Sequence, residues 1–179
     1  QWARVMGPRS PAGRVPCEPV DQASWKECQA LCLRAGCALP PERFWEYAAR
    51  AGATTRWSCG DDPRGLASIA NGADQALARV TKAPHAEAWD DGWARLAPIG
   101  QLRANAFGLH DTSGNVWERC RDVYTDSPQS KDAPPSSGAR SHVVRSSSWN
   151  SDASRLRCAK RLKNTNDERS AACGLRLFM

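Results

Sequence analysis

From Arg56 to Gly108 the chain carries almost no hydrophobic periodicity; Gly, Asp, Ala and Pro recur without the repeat of a helix or a strand. A stretch this long without regular ladders, in a chain of 179 residues, excludes a doubly wound sheet, whose strands and helices alternate at short intervals. Something other than secondary structure has to fix it. The flanks are more regular. Ser24-Trp25-Lys26-Glu27 is a capping box, in which the Ser hydroxyl and the Glu carboxylate each satisfy an unpaired backbone N–H. Trp25, Cys28, Leu31, Cys32 and Ala35 then fall at helical spacing until Gly36. Pro40-Pro41-Glu42 opens a second helix, with Pro in the first turn, an apolar stripe of Phe44, Trp45, Tyr47, Ala48 and Ala49, and Gly52 as its stop. Residues 127–140 read as an exposed polar loop. Strands are expected at Val143-Val144-Arg145 and Leu175-Arg176-Leu177-Phe178. The expectation is an irregular, loop-rich α+β domain with two helices and short antiparallel strands.

A chain of this length buries roughly 70% of the surface its unfolded form exposes, enough for a full core. Eight Trp exclude wholesale disorder, and no apolar run approaches the ~20 residues of a membrane span. The eight cysteines, at 17, 28, 32, 37, 59, 120, 158 and 173, lean toward an oxidising compartment, which favours a cell or virion surface over the cytoplasm. They leave about 105 full pairings open. Cys28, Cys32 and Cys37 lack the CxxC spacing of a zinc site, so buried thiols or scattered disulfides are the better reading. The net charge of +6 lies entirely in residues 140–179, with nine Lys and Arg against three Asp and Glu. Such a tail is either an anion or nucleic-acid patch or a set of buried framework arginines.

Three sets of residues then carry a resemblance. Pro19-Val20, Ser24-Trp25, Leu39-Pro40-Pro41-Glu42 and Trp45-Glu46-Tyr47-Ala48-Ala49-Arg50-Ala51-Gly52 form the first. Asn105-Ala106-Phe107-Gly108-Leu109-His110-Asp111 and Gly114-Asn115-Val116-Trp117-Glu118 form the second. Val144-Arg145-Ser146-Ser147-Ser148-Trp149, Arg157, Arg161 and Gly174-Leu175-Arg176 form the third. In this order they resemble the formylglycine-generating-enzyme-type (sulfatase-modifying factor) domain. The resemblance implies a C-type-lectin-like fold over residues 1–179 as one domain, with the first strands of the pattern absent from the chain.

The founding activity of that family is oxidation of a sulfatase cysteine to formylglycine, using a copper-binding cysteine pair just after the Ser-aromatic step. Here residues 150–156, Asn-Ser-Asp-Ala-Ser-Arg-Leu, hold no cysteine, and Cu(I) requires soft thiolate ligands. Catalytic residues are therefore expected to be none, and the oxidoreductase reading is the alternative. The resemblance also implies two structural calcium sites, Asn71, Gly72, Asp91 and Trp93 for one and Asp111, Gly114, Val116 and Glu118 for the other. Mixed carboxylates, amides and carbonyls suit Ca²⁺, although the same residue types also cap turns.

The tail is similar to that of the variable proteins of diversity-generating retroelements, whose C-terminal segment is rewritten at template adenines. Residues 145–177 follow that pattern without a gap. The implied ligand-binding positions are Ser151, Asp152, Ser154, Arg155, Cys158, Lys160, Leu162, Lys163, Asn164, Thr165, Glu168, Ser170, Ala171, Ala172 and Cys173. Trp149, Leu156, Arg157, Ala159, Arg161, Asp167, Arg169, Gly174 and Arg176 fall at the fixed places. An Asn codon altered only at its adenines reaches Ser, Asp, Arg, Cys, Leu, Thr or Ala but not Lys or Glu, so Lys160, Lys163 and Glu168 stand outside it. Ser146 and Ser147 replace a Gly pair, and Arg119 replaces an aromatic. Most tail arginines are then framework, and the remaining positions are nearly neutral, which argues against a phosphate-tracking groove. The sequence reading is a non-enzymatic, receptor-like protein whose diversified C-terminal face binds a protein or surface glycan. Calcium-mediated sugar binding is disfavoured because no Glu-Pro-Asn or Gln-Pro-Asp triplet occurs.

Overall fold

The computed structural model describes residues 2–6, 17–82, 86–126 and 141–179; the expected loop at 127–140 lies outside them. Among the described residues the helices are α1 (Trp2–Met6), α2 (Trp25–Ala35), α3 (Glu42–Arg50) and α4 (Gln75–Val80), with a 3₁₀ turn at Pro63–Ser68. The strands are β1 (Ala70–Asn71), β2 (Ser113–Gly114), β3 (Trp117–Val123), β4 (Ser141–Arg145), β5 (Leu162–Thr165) and β6 (Cys173–Gly174). No described helix is long and apolar enough to cross a membrane.

The capping box of α2 forms as the sequence predicts. Glu27 N donates to Ser24 Oγ and Ser24 N to Glu27 Oε2, and the helix ends at Gly36 in the left-handed region, φ 67°. Trp25, Cys28, Leu31 and Cys32 face the core; Ala35 does not. In α3 the boundaries differ slightly from expectation. Pro41 is the N-cap rather than a first-turn residue, and Ala51, not Gly52, is the left-handed cap. Of the expected stripe only Trp45 and Ala49 are buried, because Phe44 and Tyr47 point to the opposite flank and remain exposed.

The four-stranded sheet runs β5-β4-β3-β6. β4 pairs antiparallel with both β3 and β5, as expected, while the two-residue contacts of β6 with β3 and of β1 with β2 are parallel. Gly114 permits the β1–β2 contact: a Cβ there would lie 1.8 Å from Asn71 O. Leu175–Phe178 is not a strand; it holds a single bridge, Ala38 to Phe178, because Arg176 turns inward to an ion pair. The central strand, β3, has no clean alternation to announce it. Its burial comes from α3 on one face and from paired strands at both edges.

The aperiodic region is held by side-chain-to-backbone bonds. Asp74 Oδ1 caps α4, Asp74 Oδ2 accepts from Asp91 N, and Asn105 Nδ2 donates to Ala48 O. A cluster of Trp57, Leu66, Ile69, Ala70, Ala153 and Leu156 ties this region to the C-terminal segment. Trp25 and Trp45 are core residues as expected, joined by Trp2 and Trp57; Trp117 and Trp149 are only half-buried.

Candidate functional site

Residues 145–177 form a surface held from beneath by four arginines. Arg145, 1% exposed, donates to Glu42 Oε1 (2.7 Å), Glu46 Oε2 (2.7 Å) and the Cys158 carbonyl (2.6 Å). Glu42 and Glu46 stand one turn apart on α3, so both carboxylates face the same guanidinium. Arg161 completes the array, with Nε to Glu42 Oε1 at 2.7 Å and Nη1 to the Thr125 carbonyl at 2.6 Å. Arg176 pairs with Glu118, whose Oε2 also accepts the indole N–H of Trp45 at 2.6 Å. Arg119, which stands where the family pattern has an aromatic, is buried between sheet and tail. It donates to the Ala23 carbonyl, to Asn164 Oδ1 and to the Glu168 carbonyl.

These contacts account for three of the nine basic residues of the tail. Arg145, Arg161 and Arg176 are framework, their charge consumed by α3 and β3. Arg157 and Arg169 are not: both are exposed, Arg157 donating to the Ser154 carbonyl and Arg169 pairing with Glu27 at the rim. The α3 pair could have been read from the i, i+4 spacing of Glu42 and Glu46; nothing local marks Arg119.

The fifteen positions expected to bind ligand divide by burial. Ser154, Arg155, Leu162, Lys163, Thr165, Glu168 and Ala171 are exposed, while Asp152, Lys160, Ser170 and Ala172 are half-buried. Ser151, Cys158, Asn164 and Cys173 are buried. Those four need correcting as contact residues, because each side chain points into the protein. Asn164 accepts from Arg119, Ser151 Oγ accepts from Ser148 N, and the Cys158 and Cys173 thiols lie inside the packing. Burial pushes both thiols up, Cys173 to about 11, so neither is a ready thiolate.

The backbone between them is fixed. Ser151 O accepts from Ala73 N, Arg56 O from Cys158 N, Asn166 O from Trp25 N and Ser170 O from Gln22 N. An open cleft of about 570 Å³ borders the exposed positions, lined by Arg56, Trp57, Pro63, Glu87, Ala153, Ser154 and Arg157. Glu87 closes one wall by accepting from Ala153 N at 2.8 Å.

The two implied calcium sets fare differently. At the first, Asn71 Oδ1 is buried without a hydrogen-bond partner, and burial pushes the Asp91 carboxyl up to about 7. A desolvated carboxylate and an orphaned amide oxygen are the donor types a hard cation takes, although Asp91 already accepts from Gly72 N and Trp93 N. At the second, Glu118 is taken by Arg176 and Trp45, and the Gly114 carbonyl accepts from Ser146 Oγ. A guanidinium on Glu118 opposes a cation there, while Asp111 Oδ1 is buried without a hydrogen-bond partner. Among the described residues no three His, Cys, Asp or Glu side chains cluster to share a metal, the Cys28, Cys32 and Cys37 trio included.

Short strands, a looped tail laid across them and an irregular region pinned by side chains define a C-type-lectin-like domain. Treponema denticola variable protein 1 superposes with a TM-score of 0.76 at 20% identity, covering 98% of this chain and 79% of that one. PvdO from Pseudomonas aeruginosa gives 0.75 at 21% identity, over 92% and 63%. The whole chain, residues 1–179, matches the Sulfatase-modifying factor enzyme 1-like domain, and the protein belongs to that family. Formylglycine-generating enzyme of Streptomyces coelicolor is 36% identical over 98% of the chain, and Inactive C-alpha-formylglycine-generating enzyme 2 of Mus musculus is 31% identical over the same share. The chain spans 57% and 53% of the lengths of these two relatives. The family thus includes a member named for catalysis and one named as inactive.

Proposed function

We propose that the protein is a non-enzymatic ligand-binding domain whose C-terminal face, residues 145–177, is diversified by a retroelement and recognises a protein or surface-glycan partner. The observation that carries this reading is the separation of roles within one segment. Seven of the expected variable side chains are exposed, while the backbone that bears them is fixed by bonds to Ala73, Arg56, Trp25 and Gln22 and by buried arginines. A rigid scaffold with exchangeable side chains is the physical requirement of a display surface. The cleft beside Ser154 gives a ligand a concave place to enter. The likeness to Treponema denticola variable protein 1 supports the same reading through the fold.

The runner-up is an oxidoreductase of the formylglycine-generating type, which the relatives favour. The chemistry of residues 150–156 opposes it, since no thiol stands there and the nearby Cys158 is buried. A Cu(I) titration separates the two; thiol-ligated tight binding together with oxidation of a sulfatase-type peptide would establish the enzyme. We further infer that a calcium ion is held at Asn71, Gly72, Asp91 and Trp93 alone, as a structural tether for the aperiodic region.

The test of the binding reading is the sequence of codons 145–177 in many sibling isolates, with the flanking DNA. Substitutions are expected at the codons for exposed and half-buried positions, with a near-identical, adenine-rich repeat close by. Codons 145, 161 and 176 are expected to stay invariant. Uniform codons and no repeat would leave a fixed binding site, or a family member without diversification.

A further inference from the structure

α2 ends in a Schellman turn. Gly36 is left-handed, and the amides of Gly36 and Cys37 both donate to the Cys32 carbonyl, that of Cys37 at 2.9 Å. This turn lays the side chain after the glycine against the side chain five residues earlier, ordinarily an apolar contact that closes the helix end. Here both residues are cysteine. The backbone hydrogen bond from Cys37 N to Cys32 O draws the two residues together across the turn, and a disulfide needs their Cα atoms within about 7 Å. Burial, with the adjoining Cys37 thiol acting in the same direction, pushes the Cys32 thiol up to about 12. Cys32 is 3% exposed and Cys37 is half-buried, so one thiol of the pair has access from solvent and the other does not. Cys28 lies one turn further back and is fully buried.

We propose that Cys32 and Cys37 are a dithiol modification site that closes to a disulfide by exchange with a low-molecular-weight disulfide, RSSR. The accessible Cys37 attacks first as the thiolate. Its sulfur bonds to one sulfur of RSSR, the S–S bond of RSSR breaks, and RS⁻ leaves with the proton that Cys37 gave up. Cys32 then attacks the Cys37 sulfur and gives up its proton to the departing RS⁻. The Cys32–Cys37 bond forms, the mixed disulfide breaks and a second RS⁻ leaves to be protonated. The two cysteines lose two electrons in all, and RSSR is reduced to two RSH. The turn supplies the alignment, and the low thiolate fraction of Cys32 makes the second step the slow one.

The closed form would staple α2 where the helix supports the tail. Trp25 N at its start donates to the Asn166 carbonyl, and Glu27 pairs with Arg169. Just beyond its end, Ala38 exchanges two backbone hydrogen bonds with Phe178. A disulfide across the C-terminal turn fixes the helix between these two attachments.

The test is to incubate the folded protein with oxidised glutathione, quench in acid, alkylate under denaturing conditions and map tryptic peptides without reduction. Peptides 27–34 and 35–43 are expected to be joined, at about two mass units below their sum. Fragmentation is expected to place the bond between Cys32 and Cys37. Cys37→Ala, a change at a half-buried position, is expected to abolish the linkage, and Cys28→Ala to preserve it. Unlinked peptides, glutathione retained on Cys37, or a bond from Cys28 would each overturn the proposal.

Discussion

Two serines carry the most unusual backbone in the C-terminal segment. Ser146 and Ser147 have φ of 83° and 73°, a region in which an L side chain costs on the order of 1–3 kcal/mol. The family pattern uses glycine at both. Each serine offsets the strain with a hydrogen bond, Ser146 Oγ to the Gly114 carbonyl at 3.0 Å and Ser147 Oγ to the Arg155 carbonyl. Ser146→Ala keeps the strain and loses the bond, so it is expected to destabilise by about 1–2 kcal/mol. Ser146→Gly loses both and is expected to be nearly neutral; equal losses for the two variants in urea melts would refute the strain. Arg145 is the other decisive residue. Removing its guanidinium leaves Glu42 with Arg161 alone and Glu46 with Arg50 alone, and Arg145→Met is expected to cost about 3 kcal/mol. The spacing of Glu42 and Glu46 was legible in the sequence; that they meet Arg145, a hundred residues on, was not, because no local pattern encodes a contact of that range.

At the scale of elements, β4 and β5 show how the edge of the sheet is anchored. His142 on β4 stacks on Trp25, with ring centroids 3.7 Å apart, and its Nδ1 hydrogen-bonds Asn166 Oδ1 at 2.6 Å. Burial lowers its pKa below the ordinary 6.5, the neighbouring Arg119 acting in the same direction and Asn166 against it. The unfolded chain therefore binds the proton more readily than the folded one, and stability falls as pH drops through and below about 6.5. His142→Gln is expected to flatten the dependence of Tm on pH between about 6.5 and 5. An unchanged slope would place the acid lability elsewhere. On β5, Lys163 and Thr165 are exposed while Asn164 is turned inward to Arg119. Lys163→Tyr and Ala171→Tyr are expected to leave Tm within about 2 °C, whereas Asn164→Tyr is expected to cost many degrees. α2 and α3 were legible because capping and 3.6-residue spacing are local, whereas α1 and α4, of five and six residues, are too short to show a period. β3 and β6 were not, since their burial depends on which strands and helices lie beside them.

For the whole molecule the question is whether surface and scaffold are energetically separable. Replacing all seven exposed positions together is expected to shift Tm by little more than the sum of single changes, because their side chains lie outside the arginine array. A collapse of the fold on combined replacement would deny the division between face and framework. Calcium supplies a second whole-molecule test. An ion bound only by the folded protein raises Tm with concentration, and Asp91→Asn is expected to abolish that rise while Asp111→Asn leaves it. The sequence by itself determined the capped helices, the looped middle, the location of the excess charge and the absence of a thiol between Trp149 and Leu156. All of these rest on residue identity or near-neighbour spacing. Only the tertiary structure decided which tail residues are exposed and which are buried, that Glu118 serves Arg176, and that Arg119 lies beneath β5. Those outcomes depend on long-range partners competing for the same charge and volume, and a linear pattern carries no record of that competition.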